Sequence, residues 1–244
     1  MDLENSIVAI CDVQSSNNLC GTGSILAPNL VLTCAHIYKR EEDLEPKLQN
    51  ALNSVLCFRG VEYRPIRAAL SAVPDLCCLE VQPIEGAVPL QLARAASLGK
   101  TSLTVAGFNK DQAGPRLHLI RDLQTRLGEE SAEGGWLQFV QVTGGAPRYF
   151  SGGPVCARAG NGQLMIGAMY LGGESAGNSR LIAADRIAGF LAAKGFAVEV
   201  TVFSPQSPEP ARSAGDTTLT NNATITGSSN SSVTQTINHG SKGF

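Results

Sequence analysis

Short apolar runs recur through the first two hundred positions, broken by glycine, proline and asparagine. Apolar and polar residues alternate with period two within many of them, the mark of half-buried strands. Strands are expected at 6–14, 20–27 and 30–34, with a turn at Asn17-Asn18 and Gly21-Thr22-Gly23 leading toward the third. More follow at 53–58, 61–70 and 75–81. The mixed-charge run 38–47 is expected as a solvated loop, and 83–89 as the connection to a second half. That half is expected to open near Thr101 with a strand through Leu103 and Phe108, then strands at 116–127 and 136–142. Segments 155–159 and 164–171 flank a Gly160-Asn161-Gly162 turn. Ile187, Phe190 and Leu191 stand at i, i+3 and i+4 with Gly195 behind them, which predicts an amphipathic helix over 185–193. A last strand is expected at 198–203.

Beyond this point the pattern changes. Residues 204–216 carry Pro205, Pro208 and Pro210 and read as a linker. From Thr217 to Ser241 there is no Asp, Glu, Lys, Arg or Pro. Leu219, Ala223 and Ile225 fall on one parity, and Val233 and Ile237 fall on the same one. Uncharged, proline-free, period-two segments are the composition that stacks as cross-β, with a disordered tail as the alternative. The expected division is therefore 1–203, 204–216 and 217–244.

Composition narrows the classes. A chain of 244 residues can bury a substantial core, and 26 glycines fit a turn-rich, many-stranded fold. A net charge of -2 with interspersed signs argues against a nucleic-acid binder, and no apolar run has the length of a membrane span. The opening Met1-Asp2-Leu3-Glu4-Asn5 lacks the basic and apolar regions of a secretory signal. Seven cysteines form an odd count, and their spacings suit neither a disulfide framework nor zinc. Cys77 and Cys78 are adjacent, so one strand sends them to opposite faces. The cysteines are expected to be reduced, buried small hydrophobes, which places the protein in the cytoplasm.

The candidate chemistry centres on Ser151-Gly152-Gly153-Pro154. A serine hydroxyl meets a carbonyl carbon only where the surrounding backbone approaches closely, which glycine permits. A hydroxyl also needs a base, and imidazole suits the task near neutral pH. Of three histidines, His36 in Leu32-Thr33-Cys34-Ala35-His36 ends an apolar, strand-like segment. His118 lies on one face of an alternating run, and His239 lies in the polar tail. A carboxylate to hold the imidazole tautomer is best supplied by Asp75, at the lip of a buried run, although taken singly it reads as a surface turn after Pro74.

The order His36, Asp75, Ser151 with these flanks resembles the trypsin-like (chymotrypsin-fold) serine proteases over about the first 200 residues. The resemblance implies an all-β fold of two antiparallel six-stranded barrels with a C-terminal helix and the triad in the cleft between the barrels. It implies an oxyanion hole from the backbone N–H groups of Tyr149 and Ser151, with Tyr149 where most relatives carry glycine. Gly145 falls at the floor of the specificity pocket, where relatives that cut after Arg or Lys carry aspartate. Tyr170, Leu171 and Gly172 match the strand that pairs with substrate. Phe150 stands where zymogen relatives carry an aspartate for a freed N-terminus, so activation by N-terminal clipping is not expected. Such a site needs no metal or cofactor.

The tail segment 222–230 is similar to bacterial amyloid signalling motifs, which couple an immune receptor to an effector domain. Together the two resemblances imply an intracellular serine endopeptidase that acts as a bacterial immune or cell-death effector. It would be activated through self-assembly of 217–244 or by a receptor sharing the motif, and its substrate would be a protein or peptide. Two alternatives stand beside this reading: a catalytically weak, protease-like adaptor, and a housekeeping quality-control protease.

Overall fold

Aliphatic and β-branched runs bounded by turn residues form strands throughout the protein, because alternate side chains can then be buried on one face. A computed structural model describes residues 3–12, 15–40, 43–94, 103–111, 114–123, 138–141, 148–173 and 178–202. All of them fall in the first of the two units into which the chain divides, Met1–Ser207. The expected linker, the tail, His239 and Gly145 lie outside the described residues.

The first sheet contains β1 (Ile7–Asp12), β2 (Ser15–Ala27), β3 (Leu30–Thr33), β4 (Val55–Phe58), β5 (Val61–Tyr63), β6 (Pro65–Ser71) and β7 (Leu76–Val81). Its order is β5-β4-β1-β2-β3-β7-β6, and every neighbouring pair is antiparallel. The second contains β8 (Gln91–Ala93), β9 (Leu103–Asp111), β10 (Gly114–Leu123), β11 (Gln138–Gln141), β12 (Pro154–Arg158), β13 (Leu164–Gly173), β14 (Asn178–Ala183) and β15 (Val200–Thr201). Its main path is β10-β9-β12-β13-β14-β11, and short β8 pairs in parallel with β13 and β15. The sheets thus hold seven and eight strands among the described residues, where six each were expected.

Two expectations need correction, and strand β14 was not foreseen. Asn17-Asn18 lies inside β2, because two register shifts near the end of β1 let the long strand continue past the expected turn. The charged loop is followed by a short helix, α1 (Leu48–Leu52), and is itself anchored by Asp43. That carboxylate is buried, pairs with Lys47 and accepts from the Arg40 N–H. Strand β14 fell in a stretch opening with Asn178-Ser179-Arg180, which carries no apolar alternation at its start. The amphipathic helix is present as α2 (Ala184–Ala193), burying Ile187, Phe190 and Leu191.

Both sheets feed one core. Leu30, Leu32 and Leu76 of the first pack with Ile166 and Met169 of the second and with the buried face of α2. Burial of this kind stabilises by about 25 cal/mol per Å² of apolar surface. Here it also fixes one sheet against the other, and the candidate site lies where they meet.

Candidate active site

The first sheet delivers two of the three candidate groups by strand register. β3 and β7 pair antiparallel with Thr33 opposite Cys77. The residues just past β3 and those just before β7 therefore emerge at the same end of the sheet. His36 sits there in a single 3-10 turn (His36–Tyr38), and Asp75 occupies the turn that opens β7. The His36 N–H donates to Asp75 Oδ1 at 2.8 Å, and His36 Nδ1 lies 2.6 Å from Asp75 Oδ2. A carboxylate on Nδ1 selects the tautomer that carries the proton there, leaving the Nε2 lone pair free.

That lone pair faces Ser151 Oγ at 3.1 Å. Ser151 comes from the second sheet, between a 3-10 turn (Arg148–Phe150) and β12. Both glycines after it are required by space. Gly152 has φ +89, and a Cβ there would stand 2.1 Å from the Thr22 carbonyl oxygen and 2.2 Å from Thr33 Oγ1. At Gly153 it would meet the Ala106 carbonyl oxygen at 2.1 Å.

Hydrogen bonds stitch this loop to β2 and β13. Thr22 Oγ1 donates to the Tyr149 carbonyl at 2.9 Å, and the Thr22 N–H donates to the Ser151 carbonyl at 2.9 Å. Ser24 Oγ donates to the Gly152 carbonyl at 3.0 Å. The Gly152 N–H donates to the Tyr170 carbonyl at 2.8 Å, and the Tyr170 N–H donates to the Gly153 carbonyl at 2.9 Å. Phe150 is fully buried, with its ring edge-on to Tyr170 at 6.4 Å and directly against Gly107. The strand residues behind Ser151 are thus a cross-sheet clamp that sequence reasoning passed over. Their signal was Thr22 and Ser24, two polar residues of one parity in a strand with no exposed face there.

Leu171 and Tyr170 take different parts. The Tyr170 side chain belongs to the core, and its backbone holds the Gly152-Gly153 turn. Ser151 Oγ donates to the Leu171 carbonyl at 2.8 Å, so the hydroxyl proton has two acceptors facing it, that carbonyl and His36 Nε2. Gly172 is half-buried at an irregularity in the β13–β14 pairing.

Cys34 Sγ, a His36 ring nitrogen and an Asp75 carboxylate oxygen lie within 4.8 Å of one another, close enough to share a metal ion. The Cys34 thiol is buried and donates to the Tyr170 carbonyl at 3.4 Å. Burial pushes its pKa well up, which opposes the deprotonation that metal binding requires.

Two packed, mainly antiparallel sheets with a histidine, a carboxylate and a serine aligned at their junction have the architecture of the chymotrypsin-like class. Residues 21–167, more than half of the chain, match the model of the trypsin-like peptidase domain. The chain belongs to that family and is a trypsin-like protease. Solved structures of similar fold include the active form of the Rv3671c protease from M. tuberculosis. It is 20% identical with a TM-score of 0.56, covering 84% of this chain and 87% of that one. The inactive form of Rv3671c is also 20% identical with a TM-score of 0.52, covering 79% and 90%. A serine-to-alanine mutant of Rv3671c, also inactive, gives 20% identity and 0.54, covering 79% and 87%. At that identity the likeness is one of fold. No curated protein matches the chain. Among the described residues no helix is long and apolar enough to cross a membrane.

Proposed function

We propose that the protein is a serine endopeptidase in which Ser151 attacks the peptide carbonyl, His36 carries the proton and Asp75 orients His36. The observation that carries this reading is the unbroken line from Asp75 Oδ2 through His36 to Ser151 Oγ, at 2.6 and 3.1 Å. On attack the hydroxyl proton passes to Nε2, and the imidazolium is stabilised by the carboxylate behind it. It then returns the proton to the leaving amine, and water repeats the cycle on the acyl-enzyme. The N–H groups of Tyr149 and Ser151 receive the developing oxyanion. Leu171 and Gly172, with the Tyr170 backbone beside them, border the site that receives the peptide, and the family resemblance assigns Gly145 to the floor of its pocket. A substrate N–H that engages the Leu171 carbonyl displaces the Ser151 hydroxyl from it, turning the proton toward His36. No metal or cofactor takes part.

Ser151→Ala should lower peptide hydrolysis by roughly 10⁴-fold or more while leaving the thermal unfolding midpoint nearly unchanged. Labelling by a fluorophosphonate separates this reading from that of a protease-like adaptor. A wild-type chain that binds peptides but does not react at Ser151 would sink the enzymatic reading.

The cellular role rests on sequence. The uncharged period-two tail and the cysteines, free in the structure, support an effector in the cytoplasm that is switched on through 217–244. Its activator would be a receptor with a like motif, and its setting bacterial immunity or antiviral defence. A housekeeping protease would instead degrade unfolded protein with no partner present.

A further inference from the structure

The catalytic reading uses none of the seven cysteines, yet they are not equivalent. Cys11, Cys34, Cys77, Cys78 and Cys156 are buried, and only Cys20 and Cys57 reach the surface in part. Burial pushes the Cys78 thiol up to about 12, and it raises Cys156 and Cys77 as well. Cys20 is also raised, by burial and then by the nearby Asp12 carboxylate, and its thiol donates to the Asn18 carbonyl at 3.5 Å. Cys57 alone is shifted the other way. Hydrogen bonding with the neighbouring Cys11 thiol is the main cause that lowers it, while Cys11 itself is pushed up.

Strand register explains the pairing. β1 and β4 run antiparallel with Ala9 opposite Cys57 and Cys11 opposite Val55. Cys11 and Cys57 are therefore diagonal neighbours on one face of the sheet. On that face Cys57 packs against the cluster Ala9, Cys11, Leu19 and Val55, and Phe108 and Tyr149 pack against the same cluster. A small open recess of about 60 Å³, bordered by Cys20, Ile37 and Tyr38, also reaches Cys11.

We propose that Cys57 and Cys11 form a peroxide-reactive thiol pair which closes into a disulfide behind the loop that carries Tyr149. The Cys57 thiolate attacks one oxygen of a hydroperoxide and expels the other as hydroxide or alkoxide, becoming a sulfenic acid. The Cys11 sulfur then attacks the Cys57 sulfur; the S–O bond breaks and water leaves with the Cys11 proton. The two sulfurs give up two electrons and the peroxide takes them. The partly exposed Cys57 sulfur meets the oxidant, and its buried neighbour Cys11 resolves it. A cellular dithiol returns the pair to the free state.

The test uses the reduced full-length chain and hydrogen peroxide, read by intact mass and by peptide mapping. Wild type should lose two hydrogen atoms and yield one cross-linked peptide pair spanning residues 11 and 57, reversed by dithiothreitol. Cys57→Ser should slow the reaction about tenfold or more, whereas Cys20→Ser, at the other partly exposed thiol, should keep the wild-type rate. Cys11→Ala should stop at a sulfenic acid on Cys57 that dimedone traps, a readout that does not depend on the variant's stability. Oxidation of Cys57→Ser at the wild-type rate, or a cross-link joining other cysteines, would overturn the proposal.

Discussion

The buried Thr22 hydroxyl, with that of Ser24, connects the first sheet to the Ser151 loop. It donates to the Tyr149 carbonyl at 2.9 Å and accepts from the Phe108 N–H at 2.9 Å, while Thr33 Oγ1 donates to the Thr22 carbonyl at 2.7 Å. Thr22→Val keeps the shape and removes the hydroxyl, leaving two backbone groups unmatched in a dry setting. It should cost about 1–3 kcal/mol by urea unfolding, and Thr22→Ser should recover most of that. Because Thr22 holds the nucleophile loop and not the substrate, kcat should fall with KM little changed. A Thr22→Val enzyme with wild-type kcat would show that the loop needs no such clamp. Gly152→Ala is the harsher probe: strain at φ +89 and contact with the Thr22 carbonyl together should remove about 2 kcal/mol or more and most activity. His36, Asp75 and Ser151, which the structure brings together, stood out as candidates in the sequence because their neighbours are constrained by space, as in the glycines packed against Thr22 and Ala106. Thr22 could not, because a polar residue in an alternating strand looks like its solvent face until the opposing sheet is known.

At the scale of elements, alternation located most strands but not their partners. Trp136 through Val142 alternates cleanly, and β11 forms within it at Gln138–Gln141. Its partner β14 was missed because that strand opens on Asn178-Ser179-Arg180 and gains apolar character only at Leu181. β8 was missed because three residues carry too little pattern, and its parallel partners β13 and β15 are far away in sequence. Likewise α1 is five residues long and takes its stability from packing, not from helix propensity. Pairing between β1 and β4 has a chemical consequence at the same scale. A disulfide drawn between Cys11 and Cys57 tightens the sheet surface on which Tyr149 rests. Peroxide should therefore lower kcat for a small ester by about threefold or more, with recovery in dithiothreitol and no loss in Cys57→Ser. Unchanged kcat in a fully cross-linked sample would mean that the Tyr149 loop does not sense the bond.

For the molecule as a whole, the site exists only while two sheets stay packed, since His36 and Asp75 come from one and Ser151 from the other. The packed core joins them through Leu32, Leu76, Ile166, Met169 and the α2 face, all within Met1–Ser207. The described core lies within Met1–Ser207 and the proposed tail-driven control rests on 217–244, so the two can be tested apart. A chain ending at residue 216 should hydrolyse a small ester within about twofold of the full-length rate. It should not respond to preformed fibrils of a 217–244 peptide, whereas the full-length chain should gain activity toward a protein substrate when seeded. Ser151→Ala in the full-length chain should join fibrils at the wild-type rate, followed by thioflavin fluorescence, yet cleave nothing. Equal stimulation of the truncated and full-length chains would place control elsewhere. A tail peptide that stays monomeric at high concentration would remove the assembly step, while the Asp75–His36–Ser151 chemistry would stand on its own tests.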